Sequence, residues 1–193
     1  LSTLISPKGR SWADPFPIAD ENGCTVFIEE VIYSPSKKGR IAVMQVDPSG
    51  KISEPVTAIE RNYHLSYPFV FKHDNAWWMI PESRANKTVE LYRCTSWPNG
   101  WTFERNLFEN IELVDTTVFE HQGRWWLMGC EPDKPGGKAR GRVNLLYADH
   151  PLSATWTPHP LNPVIDNTTA CRPAGRPFIH DGRLIRPSQD GSV

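Results

Sequence analysis

Four stretches of this chain repeat one strand–turn–strand unit in phase, and that repeat limits the possible folds more than any other feature. "YPFVFKHDNAWWMIPES" from Tyr67 and "DTTVFEHQGRWWLMGCE" from Asp115 share an aromatic at the fifth position, a His at the seventh and a Trp pair at the eleventh and twelfth. The first aligns back onto "DPFPIADENGCTVFIEE" from Asp14 and forward onto "AGRPFIHDGRLIRPSQD" from Ala174. In each copy a short strand meets a turn ("ENGC", "HDNA", "HQGR", "HDGR") whose residues supply φ > 0, and a second strand returns. Third strands follow at "IAVMQVD", "VELYRCT" and "VNLLYAD", and fourth strands around "ISEPVTAI", "WTFERNLF" and "TWTPHPL". Four antiparallel strands per unit of about 50 residues is the pattern of a β-propeller blade. A β-sandwich also has many short strands, but nothing in it requires them to recur in phase. The expected fold is all-β, a single propeller domain over residues 1–193 with blade starts near 14, 67, 115 and 174. The fourth unit stops after its second strand. The expectation is therefore a propeller whose C-terminal part is missing, or whose missing strands are supplied by another chain, because an open edge invites aggregation.

Eighteen prolines exclude long helices over most of the chain. A formal net charge of -1 carries no basic footprint for nucleic acid. No apolar run reaches the length of a membrane span. "LSTLISPKGR" shows no signal peptide, and localisation stays open with a slight tilt to the cytoplasm. Cys24, Cys94, Cys130 and Cys171 form no C-x-x-C pair and read as free thiols. Eight tryptophans in a polar chain hint at carbohydrate, since an indole stacks on sugar C–H faces; core packing is the plainer use.

The residues in phase at the unit starts are Asp14, Tyr67, Asp115 and Ala174. In a propeller the first strand of each blade lines the channel, so these residues gather at one mouth. Asp14 then belongs to a ring rather than to a mere Asp-Pro turn, with Asp115 as its partner two blades on. Paired carboxylates suit glycoside chemistry, which needs one protonated and one ionised.

The Asp-Pro start and the second Asp resemble the five-bladed propeller hydrolases of the arabinanase, xylosidase and invertase type. That likeness implies a base or nucleophile at Asp14 and a pKa-tuning role for Asp115. It also implies a general-acid Glu in blade four, where "CRPAGRPF" offers only Arg172 and Arg176. A substitute acid comes from a second strand: Glu82 in "IPES" first, or Glu29 or Glu30 in "FIEE". A salt bridge to Arg84 is the structural alternative for Glu82. A closer resemblance spans nearly the whole chain. "WADPF", "HLSYPFVFKHDNAWWMIPES", "TVELYRCT", "DTTVFEHQGRWWL" and "RPAGRPFIHDGRLIRPSQD" are very similar to the amino-terminal domain of the glucosamine inositolphosphorylceramide transferases and their bacterial relatives. This family resembles the family 43 hydrolases in fold. In its plant members a separate glycosyltransferase domain follows, to which sugar transfer is attached.

Trp12, His64, Ser66 and Tyr67 are candidates to bond sugar hydroxyls, as are Gln189 and Asp190 in "RPSQD", which also holds Arg186. Arg172 and Arg176 read either as ion pairs holding the ring together or as a grip on a phosphate or uronate. With arginine beside them, Asp14 and Asp115 are expected to stay ionised. His73, His121 and His180 recur at turns that lie far apart in a propeller, so they are read as turn residues and no metal site is expected. No cofactor is expected, although the acids leave room for a structural Ca2+ in the channel. One Trp of each pair (Trp77/Trp78, Trp125/Trp126) should pack between blades. The loop 131–142 reads as a surface excursion or a lid. Two functions remain open: a glycoside hydrolase-like propeller acting on or binding a glycan or glycolipid headgroup at the channel mouth, and a non-catalytic glycan-binding module accompanying a glycosyltransferase.

Overall fold

The computed structural model describes residues 4–190 except 22, 36, 133, 138–140 and 168. Its strands are β1 Arg10–Asp20, β2 Gly23–Ile32, β3 Gly39–Val46, β4 Val56–Ile59, β5 Ser66–His73, β6 Ala76–Ser83, β7 Thr88–Ser96 and β8 Gly100–Glu109. They continue with β9 Val114–His121, β10 Arg124–Glu131, β11 Arg142–Ala148, β12 Thr157–Pro158, β13 Ile165–Asp166, β14 Phe178–His180 and β15 Arg183–Ile185. Among the described residues the helical content is one 3-10 turn, Arg84–Asn86, and no helix is long and apolar enough to cross a membrane.

The strands form four antiparallel sheets in chain order: β1–β2–β3–β4, β5–β6–β7–β8, β9–β10–β11–β12 with β13 also on β11, and the hairpin β14–β15. The architecture is mostly β and consistent with a propeller-like arrangement. Positive φ at Asp74 and Asn75, at Gln122 and Gly123, and at Asp181 and Gly182 gives three hairpin turns the conformation their sequences demand. Asn22, in the corresponding first turn, lies outside the described residues.

The first strands of successive sheets meet. Phe16 of β1 sets its ring edge-on against Tyr67 (5.4 Å) and Phe69 (5.3 Å) of β5. The Tyr67 hydroxyl lies 2.9 Å from Thr117 Oγ1 on β9 and accepts from Gly175 N at 3.0 Å. Phe27, with Trp97 and Trp101, closes the seam between the first two sheets, and Trp97 stacks on Trp77 at 4.7 Å. Trp125 meets His73 across the seam between the second and third sheets. These indoles, each partly buried, pack in the seams between sheets. All four cysteines are free thiols.

One irregularity recurs at the same phase of the first three sheets. The ladder passes from Ala13↔Glu29 to Phe16↔Phe27, from Ser66↔Glu82 to Phe69↔Ile80, and from Val114↔Cys130 to Thr117↔Met128. Each time two residues face one, a β-bulge. The first bulged residue is Asp14 (φ 47), Tyr67 (φ 42) or Asp115 (φ 53), all left-handed. The bulge also accommodates the prolines: Pro15 and Pro68 are second bulged residues, and Pro81 lies opposite one, where the ladder asks for no donor. Opposite the third bulge is Gly129, where an added Cβ would meet Leu113 side-chain atoms at 2.4 Å.

Candidate active site

The bulges lift Asp14, Tyr67 and Asp115 out of the pleat at the same end of three adjacent strands. The second-strand residues beside them are Glu29, Glu82 and Cys130. A bridge between Pro173 and Ser188 continues the pattern in the fourth unit.

Asp115 is the buried hub, with 0% of its surface exposed. Arg172 grips it with two bonds, Nε to Oδ2 at 2.7 Å and Nη2 to Oδ1 at 3.0 Å. The Asp115 amide donates to Glu82 Oε2 at 3.3 Å, and Gln189 Nε2 lies 3.5 Å from Asp115 Oδ2. Burial raises the Glu82 pKa to about 8, the Asp115 charge adds to the rise, and Arg172 opposes it. Burial raises Asp115 as well, against the bonds from Arg172. Between the two, the bidentate guanidinium holds the negative charge on Asp115, and the proton resides on Glu82.

Asp14 is half-buried and more open. Its Oδ2 accepts from the Tyr67 amide at 3.2 Å, so the β5 bulge orients the β1 acid. Its pKa is raised by burial, then by Asp115 and Glu29. Arg172 opposes that rise only from a distance, since both of its hydrogen bonds go to Asp115. Beside Asp14, His64 Nε2 reaches Glu29 Oε1 at 3.2 Å, while its Nδ1 accepts from Gly39 N at 2.9 Å. The bond to Glu29 raises the His64 pKa despite burial.

Asp14, Glu82, Asp115, Arg172, Gln189 and His64 are thus drawn together, with Glu29 among them. Ser66 is buried opposite Glu82. Tyr67 contributes its amide to Asp14, while its hydroxyl is taken up by Thr117 and Gly175; burial raises that phenol to about 12. Three expectations are corrected. Trp12 turns to the opposite face, donating to Glu30 at 3.1 Å. Glu30 itself is 1% exposed and saturated by Arg10, Arg40 and Trp12, which makes it structural. Arg176 points away from the acids, donating to the Val70 carbonyl and lying over the Phe69 ring. Asp190 is exposed at the edge of the described chain. Glu82 has no bridge to Arg84, which pairs with Glu112 at 3.1 Å.

The loop 131–142 lies partly outside the described residues, at 133 and 138–140. Its described part is tied down: Gly136 N donates to Glu112 Oε2 at 2.9 Å, and Arg84 Nη2 donates to Gly137 O at 2.5 Å. With the neighbouring loops it borders an open cavity of about 370 Å³ at the acid end of the second and third sheets, lined by the charged Lys87, Glu112, Glu131, Lys134 and Arg142, by Asn110, and by Ile111, Pro132 and Pro135. A second cleft, of about 600 Å³, separates Pro15–Ala19 of β1 from Ala174–Arg176 and Pro187. Cys130 escaped the sequence reading. It sits in the same second-strand phase as Glu29 and Glu82, and burial raises its thiol to about 12.

Residues 6–193 match the family model described as "Glucosamine inositolphosphorylceramide transferase 1, N-terminal". The chain is 34% identical over 183 residues to glucosamine inositolphosphorylceramide transferase 1 of Oryza sativa subsp. indica, covering 93% of this chain and 24% of that protein. For the Arabidopsis thaliana protein of the same name the values are 34% over 182 residues, 92% and 23%. The chain spans about a quarter of the length of these curated relatives. Among solved structures, it is similar to a family 117 glycoside hydrolase of Zobellia galactanivorans at TM-score 0.66 and 16% identity, covering 96% of this chain and 68% of that one. It is also similar to a GH43 β-1,3-galactosidase at TM-score 0.69 and 12% identity, covering 95% of this chain and 41% of that one. At these identities the likeness is one of fold.

Proposed function

The chain belongs to the glucosamine inositolphosphorylceramide transferase 1 N-terminal family, and on that premise we propose that it forms a glycoside hydrolase-like site for a glycan at the mouth of a five-bladed propeller. The observation that carries this reading is the placing of the carboxyls: Glu82, whose pKa burial raises to about 8, beside an Asp115 held by two bonds from Arg172, with the more open Asp14 nearby. Glycoside cleavage needs one carboxyl protonated and another ionised. Glu82 gives its proton to the leaving glycosidic oxygen as the C–O bond breaks. Asp14 takes a proton from the water that attacks the anomeric carbon. Asp115 is a positioning residue that keeps the Glu82 proton in place. The cavity lined by Lys87, Lys134 and Arg142 together with Glu112 and Glu131 is large enough for one sugar residue.

The second reading is a glycan-binding module within a larger transferase, in which the same acids bond hydroxyls. Its support is the identity of the relatives, of which this chain spans about a quarter. Hydrolysis of an aryl-glycoside panel and glycan-array binding, run on wild type, Asp14→Asn and Glu82→Gln, separate the two. Turnover lost in Glu82→Gln with binding kept supports the enzyme. Binding without turnover in wild type, lost in Asp14→Asn, supports the module. No binding and no turnover in any form removes both.

A further inference from the structure

At the end of the strands away from the acids, three metal-ligating side chains meet across the seam between the second and third sheets. His73 ends β5, Asp74 opens the turn after it, and His150 lies just beyond β11. The two Nε2 atoms are 2.8 Å apart, and Asp74 Oδ2 is 3.3 Å from His73 Nε2 and 3.8 Å from His150 Nε2. The imidazole planes stand at 84° with centroids 4.4 Å apart, so both nitrogens point at the same small volume. Trp125 fixes the His73 ring from the side at 5.4 Å. The sequence reading compared His73 only with the equivalent turn histidines; its real partner comes from a different phase of the next unit.

We infer that His73, Asp74 and His150 form a binding site for a divalent transition-metal ion of the zinc class, clamping the second sheet to the third. Two imidazoles and one carboxylate are the donor set of Zn2+, Ni2+ or Cu2+, whereas Ca2+ and Mg2+ prefer all-oxygen sites. Tetrahedral zinc with bonds of about 2.0–2.1 Å places its donors roughly 3.3 Å apart, and the three observed separations bracket that value. The histidine side chains are 17% and 48% exposed and that of Asp74 is 80% exposed, so an ion and a water ligand have access. Without metal, one proton bridges the imidazoles. His150 Nδ1 accepts from Leu152 N at 3.1 Å, which places that proton on His150 Nε2. Metal binding moves the His150 proton to Nδ1 and releases the Leu152 amide to water in an exposed turn.

The test uses chelator-stripped full chain and ZnCl2 alone, followed by calorimetric titration and thermal melts. One Zn2+ per chain is expected, with a rise in Tm of roughly 5–10 °C at a hundredfold excess over Kd. His150→Ala should abolish both while leaving the metal-free Tm nearly unchanged. His73→Gln, which keeps the side-chain volume, should weaken binding at least tenfold. Wild type that takes up no Zn2+ at millimolar concentration, or variants that bind as tightly as wild type, would overturn the assignment.

Discussion

Glu82→Gln should stabilise the protein above neutral pH and leave it unchanged in mild acid. Folded Glu82 holds its proton to about 8, against a glutamate's usual 4.5. Between those values the folded state binds more protons than the unfolded chain, so ionisation favours unfolding and wild type loses stability as pH rises through the window. At 1.36 kcal/mol per pH unit the full window corresponds to about 5 kcal/mol. Water reaching the site and sharing of charge with Asp115 and Arg172 reduce this to ~2–3 kcal/mol. Glutamine keeps a neutral donor toward Asp115 and has no proton to lose. The stability gap between variant and wild type should therefore be near zero at about pH 4.5, grow through neutrality and level off above about pH 8. Urea unfolding followed by tryptophan fluorescence across that range measures it. Parallel pH profiles for the two proteins would show that Glu82 is an ordinary ionised carboxylate, and the acid role would fall with it.

Arg172→Met should cost about 3–5 kcal/mol, because it strands the buried Asp115 charge; a melting temperature within a degree of wild type would contradict that. Tyr67→Phe removes the hydroxyl shared by Thr117 and Gly175 and should lose about 1–3 kcal/mol in denaturant titration. At Asp14, Asn tolerates the left-handed backbone and should melt with wild type, whereas Ala should lose about 1 kcal/mol; equal melting of the two would mean the bulge relaxes.

The sheets and turns were legible because each depends on local pattern: apolar runs, turn residues that take φ > 0, and their recurrence. The equivalent placing of Asp14 and Asp115, each first in a bulge, was legible from phase. The facing of Trp12 was not, because Asp14 and Pro15 are bulged and reset the two-residue alternation between Trp12 and Phe16. Arg176 illustrates a different limit. Its charge suggested the acids, but a carbonyl on β5 and an aromatic face lie nearer, and only the docking of sheets decides such a choice. His150 lies 77 residues from His73, and nothing local in either segment signals their meeting.

The repeated bulge makes the first strand of each of three sheets a socket for one left-handed residue. The backbone sets where the first bulged residue stands, so the ladder asks of positions 14, 67 and 115 only tolerance of a left-handed φ, while burial and the Arg172 pair add their own demands at Tyr67 and Asp115. Aspartate, asparagine and glycine enter such a position at little cost, and β-branched residues are shut out. At Asp14, the most open of the three, a single substitution can therefore exchange the acid and leave the sheets untouched. Chemistry at that position can change faster than the scaffold beneath it.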